Sequence, residues 1–88
     1  MTPTEISIVQ EFSGRIESWR PDQKGSGTGW IFKKDRAELS KIRTAFKRGK
    51  WNAVIQMTDV LDTIVRNRVP RSVLQYAQLK INNEHPGN

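Results

Sequence analysis

The stretch that decides the fold is residues 35–66, DRAELSKIRTAFKRGKWNAVIQMTDVLDTIVR. Asp35 and Glu38 have the spacing of a capping box, and the apolar residues that follow them recur at helical spacing. We therefore predict a helix over 36–48 and, after a glycine, a second helix over 51–66. Because only two or three residues separate the two helices, they should pack antiparallel as a hairpin.

Most of the excess positive charge falls in the same stretch. The chain has 88 residues, with 15 Lys and Arg against 9 Asp and Glu, and a formal net charge of +6. Residues 1–35 are electrically balanced, whereas residues 36–50 have six cations and one acid. The cations are Arg36, Lys41, Arg43, Lys47, Arg48 and Lys50. A concentrated positive field attracts polyanions, so we predict that these side chains bind nucleic acid.

A helical wheel places four of these cations along one edge of the apolar stripe of the predicted helix. They are Arg36, Arg43, Lys47 and Lys50. Contacts from Arg and Lys to phosphates supply most of the non-specific affinity for nucleic acid, and a helix with cations on one side suits a groove or a backbone.

Downstream of the hairpin, Pro70 suits the first turn of a third helix, which we predict over 70–82. Its apolar residues share one face: Val73, Leu74, Ala77 and Ile81. Residues 83–88 are predicted to be a disordered polar tail. Residues 1–82 would then form a single small domain.

Upstream of the hairpin, residues 5–33 fit two patterns. Near the start the apolar residues alternate at Ile6, Ile8, Phe12 and Ile16. In addition, β-branched residues are frequent, and Gly14 would weaken a helix by about 1 kcal/mol. We therefore predict a β-hairpin over 5–33, with a glycine-rich loop at 24–29 and a second strand at 30–33. The predicted fold class is α+β, mainly α, with this hairpin followed by three helices.

The alternative for the same region is a helix. Thr2, Pro3 and Glu5 are typical of a capped helix start, and five apolar residues keep helical spacing after it: Ile6, Val9, Phe12, Ile16 and Trp19. With this alternative the chain would be an all-α four-helix domain.

A local pattern in this region resembles a known family. Gly14-Arg15-Ile16-Glu17-Ser18-Trp19, then Lys24-Gly25 and Gly29-Trp30-Ile31, resemble the first hairpin of cold-shock (OB-type) nucleic-acid-binding domains. The resemblance covers residues 14–31 and does not extend to the whole chain. It implies that Trp19, Trp30 and Phe32 stack bases while Arg15, Arg20, Lys24 and Lys33 hold phosphates. Stacking of a base on an aromatic ring contributes roughly 1 to 3 kcal/mol.

Catalytic chemistry has few candidate residues. The absence of cysteine excludes disulfides, thiolate catalysis and zinc sites that need sulfur. His85 is the one histidine and lies in the predicted tail, while Asp59 and Asp62 lack a third ligand or a base nearby. We predict no catalytic residue, no metal and no cofactor. With no transmembrane run or secretion signal in the sequence, we expect a cytoplasmic protein.

The sequence therefore predicts a small, basic, non-enzymatic protein that binds DNA or RNA. The alternative is a phage- or plasmid-type inhibitor or adaptor that uses the same cations against an acidic surface of a host protein. A third hypothesis is homo-oligomerisation through the wide apolar arc of the helix predicted at 51–66.

Overall fold

The structure, a computed structural model, describes residues 1–18 and 29–84, and for residues 29–32 the backbone alone. These residues form five helices and no strand. The helices are α1 (Pro3–Ser18), α2 (Gly29–Lys47), α3 (Trp51–Asp59), α4 (Thr63–Arg66) and α5 (Arg71–Glu84). The predicted α+β class with its β-hairpin is therefore wrong, and the described part of the chain is all-α.

Helix α1 replaces the first predicted strand. Its start is a capping box, in which the Thr2 N–H donates to Glu5 Oε1 at 2.8 Å and the Glu5 N–H donates to Thr2 Oγ1 at 3.2 Å. The buried side chains are Ile8, Phe12 and Ile16, which recur every four residues and so form one stripe of a helix. This cap and this stripe outweigh the low helix propensity of the β-branched residues.

Helix α2 begins at Gly29, well before the predicted start, so residues 30–33 are helical and the predicted second strand is wrong. The helix ends at a Schellman motif around Gly49, whose φ of 72° only glycine adopts without strain. The Lys50 N–H donates to Ala45 O at 2.9 Å, and the Gly49 N–H donates to Phe46 O at 3.1 Å. This motif reverses the chain and starts the predicted hairpin with α3.

The single helix predicted over 51–66 is broken after Asp59. β-branched residues and aspartates with low helix propensity are concentrated between residues 58 and 63. Thr58 is buried and its hydroxyl donates to Val54 O at 2.8 Å, which satisfies it within α3. The break rotates α4 relative to α3, and Ile64 becomes 73% exposed. The predicted apolar arc is therefore shorter than expected, and oligomerisation through it stays a prediction.

Helix α5 packs antiparallel to α1. Near its start, the Ser72 hydroxyl donates to Glu11 Oε1 at 2.9 Å, while further along Tyr76 lies near enough to Glu5, at the beginning of α1, to help lower the pKa of that carboxyl. The helix was predicted over 70–82 and extends to Glu84. The rest of the predicted tail, residues 85–88, lies outside the described residues.

The core lies where α1, α2, α3 and α5 meet. At one end of it, Phe46, Trp51 and Tyr76 form an aromatic cluster with ring centroids 5.2 to 5.6 Å apart. This cluster fixes the α2–α3 hairpin against α5 and thereby sets which face of α2 is exposed. No helix in the described residues is both long and apolar enough to cross a lipid bilayer.

Candidate nucleic-acid interface

The burial of its apolar stripe decides which side of α2 faces solvent. Leu39, Ile42 and Phe46 are almost completely buried. Since side chains project around a helix at 100° intervals, this burial directs the opposite side of α2 into solvent. We call the exposed cations of that side and of the following turn the basic face. Its members are Lys33, Lys41, Lys47, Arg48 and Lys50.

Two of the predicted nucleic-acid-binding residues are less accessible than expected. Arg43 is half-buried, and its Nη1 donates to the hydroxyl of Ser13 on α1 at 2.9 Å. Arg36 is also half-buried and also has an interaction partner. The edge of the stripe on which these arginines lie borders α1, so Arg43 helps to hold α1 against α2. Among the described residues of α2 and its following turn, the exposed cations are those of the basic face and Lys34.

One pair on the basic face involves an acid. Lys41 Nζ lies 3.4 Å from Glu38 Oε1, and the lysine side chain is 65% exposed. Such an exposed pair contributes at most about 1 kcal/mol and is weakened by salt. A phosphate can therefore replace or join Glu38 as the partner of Lys41.

The acidic residues of α2 lie beside the basic face, on the flank towards α3 and α4. Asp35 and Glu38 line a cleft of about 230 Å³ between α2 and the α3–α4 region. The other residues of this cleft are Lys34, Val60, Leu61, Asp62 and Val65. Although three carboxylates line it, no three His, Cys, Asp or Glu side chains among the described residues are placed to hold a metal ion. The folding of α2 thus directs Asp35 and Glu38 towards this cleft, although Glu38 also reaches Lys41, and Lys34 lines the cleft as well.

The residues implied by the cold-shock resemblance are only partly described. Trp19, Arg20 and Lys24 lie outside the described residues, as does the side chain of Trp30. The backbone of Trp30 is helical, so it is not on the second strand of a hairpin. Trp51 is 8% exposed within the aromatic cluster and is a core residue.

The structure also assembles cations that the sequence analysis did not group. Lys33 joins the basic face because α2 begins earlier than predicted. Arg15, Arg66 and Arg71 surround a cleft where α1 meets the start of α5. The sequence holds part of the signal for this cluster, since Arg66 and Arg71 are close together, but Arg15 lies about fifty residues earlier in the chain.

Comparison with known proteins gave no match: no family model, no curated protein and no solved structure has significant similarity to this chain. The resemblance of residues 14–31 to cold-shock domains therefore stays a prediction from local sequence.

Proposed function

We propose that this protein is a non-enzymatic nucleic-acid-binding protein that holds the phosphate backbone on the basic face of α2. The observation that carries the proposal is the concentration of exposed cations on one side of α2. Five exposed cations share the outer side of the helix and its following turn, while Asp35 and Glu38 lie on the flank towards α3. Such a surface attracts a polyanion, and the exposed pair that Lys41 forms with Glu38 at 3.4 Å is one that a phosphate can displace.

The shape of the basic face supports contact with a backbone. Between its lysines the exposed side of α2 has small residues, Ala37 and Thr44, and the Thr44 hydroxyl donates to Ser40 O at 3.0 Å. Because the side chains at these intervening positions are short, they do not shield the cations from a ligand. Contacts of lysine with phosphate are independent of base identity, so we expect binding with little sequence preference. A cysteine-free chain suits the reducing cytoplasm, where we place this activity.

The test compares two variants of equal net charge. In the first, Lys41, Lys47 and Arg48 are all replaced by glutamine. In the matched control, the exposed residues Gln56, Gln75 and Gln78 are all replaced by glutamate. Both variants lower the formal net charge of +6 by three. Binding to single-stranded DNA, duplex DNA and RNA of one length is measured by fluorescence anisotropy across a salt series.

We expect the glutamine variant to bind duplex DNA about 100-fold more weakly at low salt, with the slope of log affinity against log salt reduced by about 2 to 3. The matched control should keep most of the slope, because its added charges lie on α3 and α5. If the native protein binds none of the three probes at low salt, or if both variants lose affinity equally, the proposal is wrong.

The same basic face also fits an acidic surface of a host protein, which is the alternative partner. A pull-down with the native protein from nuclease-treated and untreated lysate separates the two. A partner that is retained after nuclease treatment, and lost with the glutamine variant, would replace nucleic acid with protein as the ligand of this face.

A further inference from the structure

A second cationic site lies on the flank of α1 opposite to the one that contacts Arg43 of α2. It is a cleft of about 450 Å³ formed by α1, the end of α4, the following turn and the start of α5. We call it the arginine cleft. Its residues are Arg15, Arg66, Asn67, Val69, Arg71 and Leu74. Three of these six residues are permanently charged, although they come from positions far apart in the sequence.

Two of the arginines are held in place by the main chain. Arg15 Nη1 donates to Asn67 O at 3.2 Å, and Arg66 Nη2 donates to Leu61 O at 2.8 Å. A guanidinium has five N–H donors, so each of these bonds uses a small part of the donor capacity. The bonds orient the planar groups and leave the other donors available to a ligand.

The charges of the cleft are not neutralised within the described chain. None of its three arginines forms an ion pair with a described carboxylate. Glu11 is near on α1, but its Oε1 accepts the hydroxyl of Ser72 at 2.9 Å, and Glu11 does not line the cleft. Unpaired guanidiniums gathered at one cleft favour an anion, and their planar forks match the oxygen atoms of a phosphate.

The start of α5 adds to this preference. Arg71 is the first residue of the helix, and the first turn contains no acidic residue. The N–H groups at the start of a helix carry a partial positive charge that stabilises an anion. This contribution has the same sign as the three arginines, and Arg71, the first residue of the helix, lines the cleft.

The cleft also has an apolar part, supplied by buried Val69 and half-buried Leu74. Its volume falls within the range of small-molecule sites, about 300 to 1,000 Å³, and exceeds what a bare phosphate needs. We propose that the arginine cleft binds the phosphate group of a nucleotide-sized ligand, and that the apolar part of this ligand contacts Val69 and Leu74. The source of the phosphate is either a free nucleotide or a phosphodiester within nucleic acid. The proposal does not depend on the proposed function of the basic face.

The experiment titrates the ¹⁵N-labelled protein with three probes at constant ionic strength and follows amide chemical shifts. Thymidine 5′-monophosphate offers a phosphate monoester, the dinucleotide TpT offers a phosphodiester, and thymidine offers neither. We expect saturable shifts at Asn67, Arg71 and Leu74 with at least one phosphate probe and none with thymidine. Tighter binding of the monophosphate assigns the site to free nucleotides, and tighter binding of TpT assigns it to nucleic acid. Absence of saturation, or equal shifts with thymidine, overturns the proposal.

Two variants test whether the cleft binds phosphate through its arginines. Arg71→Gln removes a guanidinium that holds no main-chain carbonyl in the described chain, so the fold should be kept, and the affinity for the better probe should fall about 10-fold. Lys34→Gln, at an exposed lysine that belongs neither to the basic face nor to the arginine cleft, is the matched control and should leave that affinity unchanged. An equal response of the two variants contradicts the proposal. Because Lys41, Lys47 and Arg48 do not line the cleft, failure here is distinguishable from failure of oligonucleotide binding by the basic face.

Discussion

The basic face and the arginine cleft have the same sign of charge and are constructed in opposite ways. The cations of the basic face follow one another along α2 and its turn, and are mostly long exposed lysines. The cations of the cleft come from α1, α4 and α5, and two of them are tied to main-chain carbonyls. The first arrangement suits an extended polyanion that slides between contacts, and the second suits one small ligand in a fixed position.

Helix α1 separates the two surfaces and contributes to the stability of both. Ser13 accepts the hydrogen bond of Arg43 on the α2 side, and Arg15 donates to Asn67 on the α5 side. These two residues of α1 project from opposite flanks of its buried stripe. Substitutions in α1 therefore test whether both surfaces depend on this helix. Substitutions in α2 test whether all of its cations bind a ligand or whether some of them stabilise the fold.

The largest effect is expected from Arg43→Gln. This change removes a part-buried hydrogen bond between α1 and α2, so the free energy of unfolding should fall by about 1 to 2 kcal/mol. The matched change Lys47→Gln affects an exposed side chain and should alter stability by less than about 0.5 kcal/mol. Urea denaturation of both variants measures the difference. Equal stabilities would show that Arg43 belongs functionally with the basic face rather than with the α1–α2 contact.

A smaller effect is expected at the start of α1. Thr2→Ala removes the hydroxyl that accepts the Glu5 N–H and should cost about 1 kcal/mol, which would weaken the support of both surfaces. Thermal unfolding followed by circular dichroism measures the loss. If the melting temperature is unchanged, the capping box does not contribute to the fold.

The capping box also makes stability depend on pH. The N–H of Thr2 lowers the pKa of Glu5 below its ordinary value, against a smaller opposing effect of burial and with further help from Tyr76, Thr2 and Lys80. Because the folded pKa lies below the unfolded one, this stabilisation is present above the unfolded pKa and is lost as pH falls through the folded pKa. Glu5→Gln should flatten this part of the acid limb. An acid limb of the same steepness in native and variant proteins would contradict the assignment.

The smallest effect has the opposite sign. Gly14 lies exposed within α1, and a Cβ atom added there would have nothing within 4 Å. Gly14→Ala should therefore stabilise the protein by about 0.5 to 1 kcal/mol, because alanine has the higher helix propensity. It should leave ligand binding at both surfaces unchanged. Destabilisation in urea would show that the chain needs a non-helical conformation at this position.

The residues that decided the fold show which features the sequence could predict. The hairpin around Gly49 and the burial of Leu39, Ile42 and Phe46 were predictable, because a helical stripe and a terminating glycine are local signals. The β-hairpin was wrong because alternation at the start of the chain included Ile6, which is 41% exposed and outside the buried stripe of α1.

The candidate sites were predictable to different degrees, because only residues that are neighbours in the sequence leave a local signal. The cations of the basic face are neighbours in sequence, so their charge could be recognised, although the inward position of Arg43 depends on where α1 packs. The arginine cleft could not be recognised as a site, because Arg15 lies about fifty residues before Arg66 in the chain. Their proximity is a product of the antiparallel packing of α1 on α5.

The anchoring of Arg15 and Arg66 by main-chain carbonyls has a thermodynamic consequence. A free lysine or arginine side chain loses up to about 2 kcal/mol of conformational entropy when it is fixed. The two anchored arginines have given up part of this freedom on folding, whereas the lysines of the basic face keep theirs until a ligand arrives. A phosphate at the cleft therefore binds against a smaller entropic penalty per contact than a phosphate on α2.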